Sequence, residues 1–208
     1  MPEFLVIRHG QSQADLEDRY EGRADFPLTD LGCAQARQMA RWVAEHYPPD
    51  VIYASPLIRA AETAQILAAQ MHLSVQFEED LMEWNNGVLA GLLRAEADQK
   101  YPPPATPRKP HECVEGGETD IAFRARAEMV WSRLLHQTPE NHRVAIVAHG
   151  GIINQLFLCF LQMPMQPDLW LGTGDTGIHL WRVRGNTRWV LLGNSMVHWR
   201  PHAEFSNA

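Results

Sequence analysis

This 208-residue chain has no surplus of positive charge. Its 18 Lys and Arg face 25 Asp and Glu, a formal net charge of −7, and the isoelectric point is near 5.8. It therefore lacks the basic field that holds a nucleic-acid backbone or an anionic membrane surface. It also lacks a long apolar run. The best candidate, residues 152–163, is interrupted by Asn154, Gln155 and Gln162 and falls well short of the roughly 20 residues of a membrane span. Cysteine is scarce: Cys33, Cys113 and Cys159 are odd in number, far apart and without CxxC spacing. The reading is buried free thiols in a reducing cytosol. The opening Met1-Pro2-Glu3-Phe4 has neither the basic start nor the apolar stretch of a secretion signal, so a cytoplasmic location is expected. There is no internal repeat and no Gly/Ser linker, which leaves one domain over residues 1–208 as the expectation.

What is present is alternation. Short β-branched or apolar runs occur at 4–7, 51–53, 74–77, 144–147, 178–183 and 189–192. Between them, residues 31–46 place Ala34, Ala36, Met39, Ala40, Val43 and Ala44 at helical spacings, and 60–71, 121–136 and 152–162 behave similarly. Strands alternating with helices predict an α/β fold, a three-layer α/β/α sandwich around a mixed, mostly parallel sheet. The last two runs are joined by Arg184-Gly185-Asn186-Thr187, a hairpin-like turn that predicts an antiparallel edge. Five prolines between 102 and 110 forbid helix or central strand there. That stretch reads as an irregular surface excursion of undetermined role.

The chemically informative residues follow strands. Arg8, His9 and Gly10 end the first run, Ser55, Pro56 and Arg59 follow the second, Glu83 comes after the third, and His149-Gly150-Gly151 follows the fourth. In open α/β sheets the carboxyl ends of the strands form the ligand crevice, so these segments can converge without being neighbours in sequence. Two cations, two imidazoles and a carboxylate meet the needs of phosphoryl transfer. Arginine offers a permanently charged planar fork for a phosphate dianion. An imidazole is a neutral nucleophile near pH 7, more so when cations lie nearby. A carboxylic acid can protonate the leaving oxygen, and a second histidine can stabilise the equatorial oxygens.

Arg8-His9-Gly10-Gln11-Ser12 resembles the Arg-His-Gly signature of the histidine phosphatase (phosphoglycerate mutase-like) superfamily. Residues 23–32 (RADFPLTDLG), 55–64 (SPLIRAAETA), Gly116-Gly117-Glu118-Thr119 and Ala148-His149-Gly150-Gly151 match in that family's order. The resemblance implies that His9 becomes phosphorylated while Arg8, Arg59 and His149 clasp the phosphate. It implies that Glu83 protonates the leaving group and then activates water. No metal and no organic cofactor is implied, and the partner is a small phosphomonoester; oligomeric state is not legible.

Plainer readings accompany each residue. Arg59 could be an exposed first-turn residue behind a Ser55 N-cap and Pro56, and His149 could be structural. Glu83 has acidic neighbours in Glu78, Glu79 and Asp80, and Ser12 divides between phosphate contact and loop cap. Gly172 to Gly177 spells GxGxxG, but an alternating apolar run rather than a helix follows, which excludes a dinucleotide site. The histidines lack zinc-hydrolase spacing. The tryptophans read as core and rim, with Trp84 at the pocket mouth.

The alternative activity is a cofactor-dependent phosphoglycerate mutase. Mutases of this family resemble Trp-Asn after the first motif and Glu-Arg-x-Tyr-Gly at the acid. Here those stretches read Ala14-Asp15 and Glu83-Trp84-Asn85-Asn86-Gly87. A catalytically dead scaffold would require loss of a pocket residue, and none is missing. The nearest cations after Glu83 are Arg94, Arg108 and Lys109, few for gripping a second anionic group.

Overall fold

The computed structural model describes residues 1–165 and 169–199. Six strands form one sheet: β1 (Glu3–Arg8), β2 (Val51–Ala54), β3 (Val75–Phe77), β4 (Arg143–Ala148), β5 (Ile178–Arg184) and β6 (Thr187–Ser195). Their order is β3-β2-β4-β1-β5-β6. The first four neighbours run parallel, and β5 and β6 add the antiparallel edge that the hairpin-like turn predicts. The fold class and every strand expected from sequence are present.

Six helices accompany the sheet: α1 (Gln13–Leu16), α2 (Asp30–His46), α3 (Ile58–Met71), α4 (Arg94–Lys100), α5 (Asp120–Gln137) and α6 (Gly150–Phe160). Side-chain alternation along β1 explains the three layers. Phe4 and Val6 face a core shared with α5 and α6, while Leu5 and Ile7 face one shared with α2 and α3. The first core is aromatic: Trp181 stacks on Phe160 at 5.1 Å and meets Trp131 edge-on at 6.0 Å. Each such ring, fully buried, contributes about 1.5–3 kcal/mol. Two of the tryptophans thus belong to the core, as expected.

Several local expectations need correction. α1 and α4 leave no mark in the sequence pattern, because both are too short to show a helical period. Ser55 does not cap α3. The helix starts two residues later than a Ser55 cap requires, and its first N–H, on Ile58, donates to Asp25 Oδ1 at 2.7 Å. Distant residues can cap a helix when the loop between them folds back, which local spacing cannot reveal. The thiols are free, but only Cys159 is buried. Cys113 is exposed because it lies in the irregular stretch after α4, where no core forms, and Cys33 sits on the partly covered face of α2. Among the described residues no helix is long and apolar enough to cross a membrane.

Candidate active site

Two parallel strand ends bring the histidines together. Arg8 lies in register with Ala148, and the His9 N–H donates to the Ala148 carbonyl at 3.0 Å. The two rings stand 5.0 Å apart, centroid to centroid. Both are about 1% exposed. Burial, reinforced by Arg59 and Arg8, holds the pKa of His9 well below that of free imidazole. Burial and the same cations, with His9 itself, do so for His149. Both rings are therefore neutral near pH 7.

The neutral His9 has a defined tautomer. Nδ1 lies 2.7 Å from the Gly10 carbonyl, an acceptor only, so Nδ1 carries the hydrogen. Nε2 keeps its lone pair, onto which Arg59 Nε–H donates at 3.3 Å. The loop after β1 is fixed from several sides. The Gly10 N–H donates to Thr63 of α3 at 3.1 Å and the Gln11 N–H to Gln35 of α2 at 2.8 Å. Gly32 of the TDLG stretch lets α2 approach so closely that a side chain there would collide with the Gln11 carbonyl.

Arg59 is fully buried, which excludes the exposed first-turn reading. Its terminal nitrogens donate to the carbonyls of Ala24 (3.1 Å) and Gly22 (2.9 Å), so it pins the 22–24 loop beside His9. Arg8 is half-buried, donates to the Thr173 carbonyl at 3.2 Å and pairs with Asp15 (3.2 Å) and Asp175 (3.5 Å). The GxGxxG stretch is thus a loop leading into β5 that buttresses Arg8.

His149 is the N-cap of α6 and its Nε2 lies 2.8 Å from the Ser55 hydroxyl. Its Nδ1 has no hydrogen-bond partner among the described residues. Glu83 meets the same helix start, where Oε2 accepts from the Gly151 N–H at 2.8 Å, and Oε1 accepts from the Trp84 N–H at 2.7 Å. The positive end of a helix favours an anion there. A Cβ at Gly151 would meet that carboxylate and displace it. Ser12 caps α1, accepting from the Asp15 N–H at 3.0 Å. Its hydroxyl also reaches Glu21, so the loop-cap reading describes its present contacts.

Sequence reasoning missed three contributors, Glu21, Thr63 and Arg126, and the partner of a fourth, Ser55. Glu21 stands inside the pocket, with Oε1 3.4 Å from Arg59 Nε and Oε2 3.8 Å from His9 Nε2. At an effective dielectric of about 20 such a contact attracts by about 5 kcal/mol before desolvation is subtracted. Its only sequence signal is adjacency to the matched 23–32 stretch. Ser55 and Thr63 lie within a matched stretch, but their partners are distant in sequence. Arg126 of α5 donates to the carbonyls of Asp80, Met82 and Glu83 at 2.7–3.0 Å and pairs with Glu118 at 2.8 Å. The Gly-Gly-Glu-Thr stretch thereby gains a physical role. Glu118 holds the arginine that holds the Glu83 segment, and Thr119 caps α5.

The opening is a cleft of about 360 Å³ whose walls include Arg8, Glu21, Glu83, Trp84, Tyr20 and Trp170. Trp84 is at the mouth as expected, braced edge-on by Phe123 at 4.9 Å. Besides Arg8, two further cations border it, Arg94 and the unanticipated Arg19. Arg94 pairs with Asp18 and lies over the Tyr20 ring, and Arg19 pairs with Glu17. A larger cleft of about 470 Å³ opens at the opposite sheet end, where Glu3 bridges Arg143 and Arg182. Both of its arginines are paired with that carboxylate. Among the described residues no three His, Cys, Asp or Glu side chains converge as metal ligands.

Comparison with known proteins agrees with this geometry. The model of the histidine phosphatase superfamily (branch 1) matches residues 4–195. Glucosyl-3-phosphoglycerate phosphatase of Mycobacterium tuberculosis is 29% identical over 98% of this chain and 89% of that protein. Its mycobacterial structure with VO3 superposes with a TM-score of 0.82 at 28% identity, covering 93% of this chain and 98% of that one. Phosphoserine phosphatase 1 of Hydrogenobacter thermophilus is 30% identical over 95% of this chain and 94% of that protein. A 2,3-bisphosphoglycerate-dependent phosphoglycerate mutase of Methylobacterium radiotolerans is 32% identical over 82% and 85% respectively. With the matched residues gathered around two buried imidazoles at the strand ends, the chain belongs to the histidine phosphatase superfamily.

Proposed function

We propose that this enzyme hydrolyses small phosphomonoesters in two steps through a phosphohistidine on His9. One observation carries the reading: a buried, neutral imidazole turns its Nε2 lone pair toward the guanidinium of Arg59, with Nδ1 tied to the Gly10 carbonyl. A phosphate seated against Arg59 and Arg8 presents its phosphorus to that lone pair. Both cations neutralise charge as it develops on the phosphoryl oxygens.

In the first step Nε2 attacks phosphorus, the bond from phosphorus to the ester oxygen breaks, and Glu83 gives that oxygen its proton. In the second, Glu83 takes a proton from water. The resulting hydroxide attacks phosphorus, the P–N bond breaks and neutral His9 returns with inorganic phosphate. His149 Nδ1 is the ring atom left for an equatorial oxygen. Arg8, Arg59 and the histidines supply the charge and hydrogen bonds, so no metal or organic cofactor enters. One domain over residues 1–208, acting in the cytoplasm, carries this chemistry.

The hydrolase reading is favoured over the mutase because Trp84, Asn85 and Asn86 follow Glu83 where mutases of the family resemble Arg-x-Tyr, and because phosphatases are among the similar proteins. The test is rapid-quench labelling. His9→Ala should lose turnover and the acid-labile phosphoenzyme while melting as a folded protein; label found on Ser12 or on an aspartate would refute the mechanism.

A further inference from the structure

On the reading that the phosphoryl group sits against Arg59 and His9, that seat already has an occupant. The Glu21 carboxylate lies 3.4 Å from Arg59 Nε and 3.8 Å from His9 Nε2. His9 and Arg59 are 1% and 0% exposed, and the cleft wall is formed by Glu21 and Arg8 rather than by either of them. Nothing in the hydrolytic chemistry uses a second carboxylate at this point. We propose that Glu21 is a built-in competitor for the phosphoryl seat: as a carboxylate it pairs with Arg59 and covers His9, and as a neutral carboxyl it yields the seat to a phosphate.

The hydrogen bonds around Ser12 hold the Glu21 carboxylate in this seat. The Ser12 oxygen accepts from the Asp15 N–H and lies 3.0 Å from Asp15 Oδ2, and it also makes a very short contact with Glu21 Oε1. A hydroxyl has one hydrogen to donate and two lone pairs. Donated to Glu21 Oε1, that hydrogen favours the carboxylate, as Arg59 does. Protonation of Glu21 removes its ionic attraction to Arg59, and Arg59 is released for a phosphate. A deprotonated Glu21 belongs to Arg59 and repels an incoming dianion.

The charged and titratable groups around Glu21 come from three elements: Arg8 and His9 at the end of β1, Asp15 of α1 and Arg59 of α3, with Glu83 bordering the same cleft. Burial raises the pKa of Glu21; Arg59 opposes this, Asp15 reinforces it, and Ser12 and Arg8 oppose it. Proton uptake therefore occurs nearer to neutrality than for a free carboxyl, and oxyanion binding should strengthen as pH falls.

Sulfate is a suitable probe: a tetrahedral dianion that does not titrate in this range and cannot turn over. Its affinity for the whole protein is measured by calorimetry from pH 8 to pH 5 for wild type, Glu21→Gln and Glu21→Ala. Wild-type binding should tighten as pH falls. At pH 8 both variants should bind about tenfold more tightly than wild type, the effect of one pKa unit of coupling, with a flatter pH profile. Variants no tighter than wild type at pH 8, or keeping its pH profile, overturn the proposal. A wild-type affinity constant across the range does so without any variant. Since sulfate binding needs no turnover, loss of this inference leaves phospho-His9 standing. Failure of His9 labelling would in turn leave the sulfate result intact.

Discussion

Arg126 donates to the carbonyl of Glu83 at 3.0 Å, so a helix packed on one face of the sheet holds the candidate acid by its backbone. The same guanidinium reaches the carbonyls of Asp80 and Met82, and Glu118 keeps it oriented. Glu83 sits on a segment between two short 3-10 turns, Glu79–Leu81 and Gly87–Leu89. Its position depends on this fork rather than on an element of its own.

Arg126→Lys keeps the charge and loses the fork. It should lower kcat by about tenfold or more through a misplaced proton donor, with KM changed little. Steady-state kinetics on one phosphomonoester checks this; an equal fall in kcat and in phosphate affinity would place Arg126 elsewhere in the chemistry. Arg126→Ala takes the donor from three carbonyls and leaves Glu118 with the Asn85 N–H and the more distant Arg23, and should cost about 1–3 kcal/mol of stability.

Activity should survive exhaustive chelation, because two arginines already face the dianion. Assay after prolonged EDTA treatment and gel filtration decides it. Loss of activity restored by zinc or magnesium would point to a metal-dependent phosphatase.

Four histidines are buried with lowered pKa values: His9 and His149, and His179 and His198, which burial brings to about 4. Below about pH 6.5 the unfolded chain takes up protons that the folded chain refuses, so stability falls as pH falls. The slope is about 1.4 kcal/mol per pH unit for each ring kept neutral. Glu21 and Asp175, both raised chiefly by burial, work in the opposite sense, since the folded state holds their protons to higher pH. With four rings against two carboxyls, denaturant midpoints should drop between pH 6.5 and pH 5. A flat profile would mean that the rings are protonated in the fold.

Water should win the phosphoenzyme. A mutase must keep phospho-His9 dry and retain a second anion while the substrate reorients. Here the residues after Glu83 are Trp84, Asn85 and Asn86, none of them cationic. One preparation given 3-phosphoglycerate should release inorganic phosphate faster than it forms the 2-isomer. Isomerisation much faster than release would overturn the hydrolase assignment and leave the His9 chemistry in place.

The sequence by itself determined the sheet, the four long helices and the residues at the strand ends, because period and punctuation are local signals. A run such as Phe4-Leu5-Val6-Ile7 must be buried on both faces wherever it lies in the chain, and Arg8-His9-Gly10 must then emerge at its end. Tertiary structure decided who meets whom. Asp25 rather than Ser55 caps α3, Ser55 turns to His149, and Arg126 reaches 43 residues back to Glu83. Above all, Glu21 enters the pocket from a stretch without periodicity, drawn by Arg59 and Ser12. Charges and hydrogen bonds act over a few ångströms of space, and only the folded chain fixes which side chains come within that range.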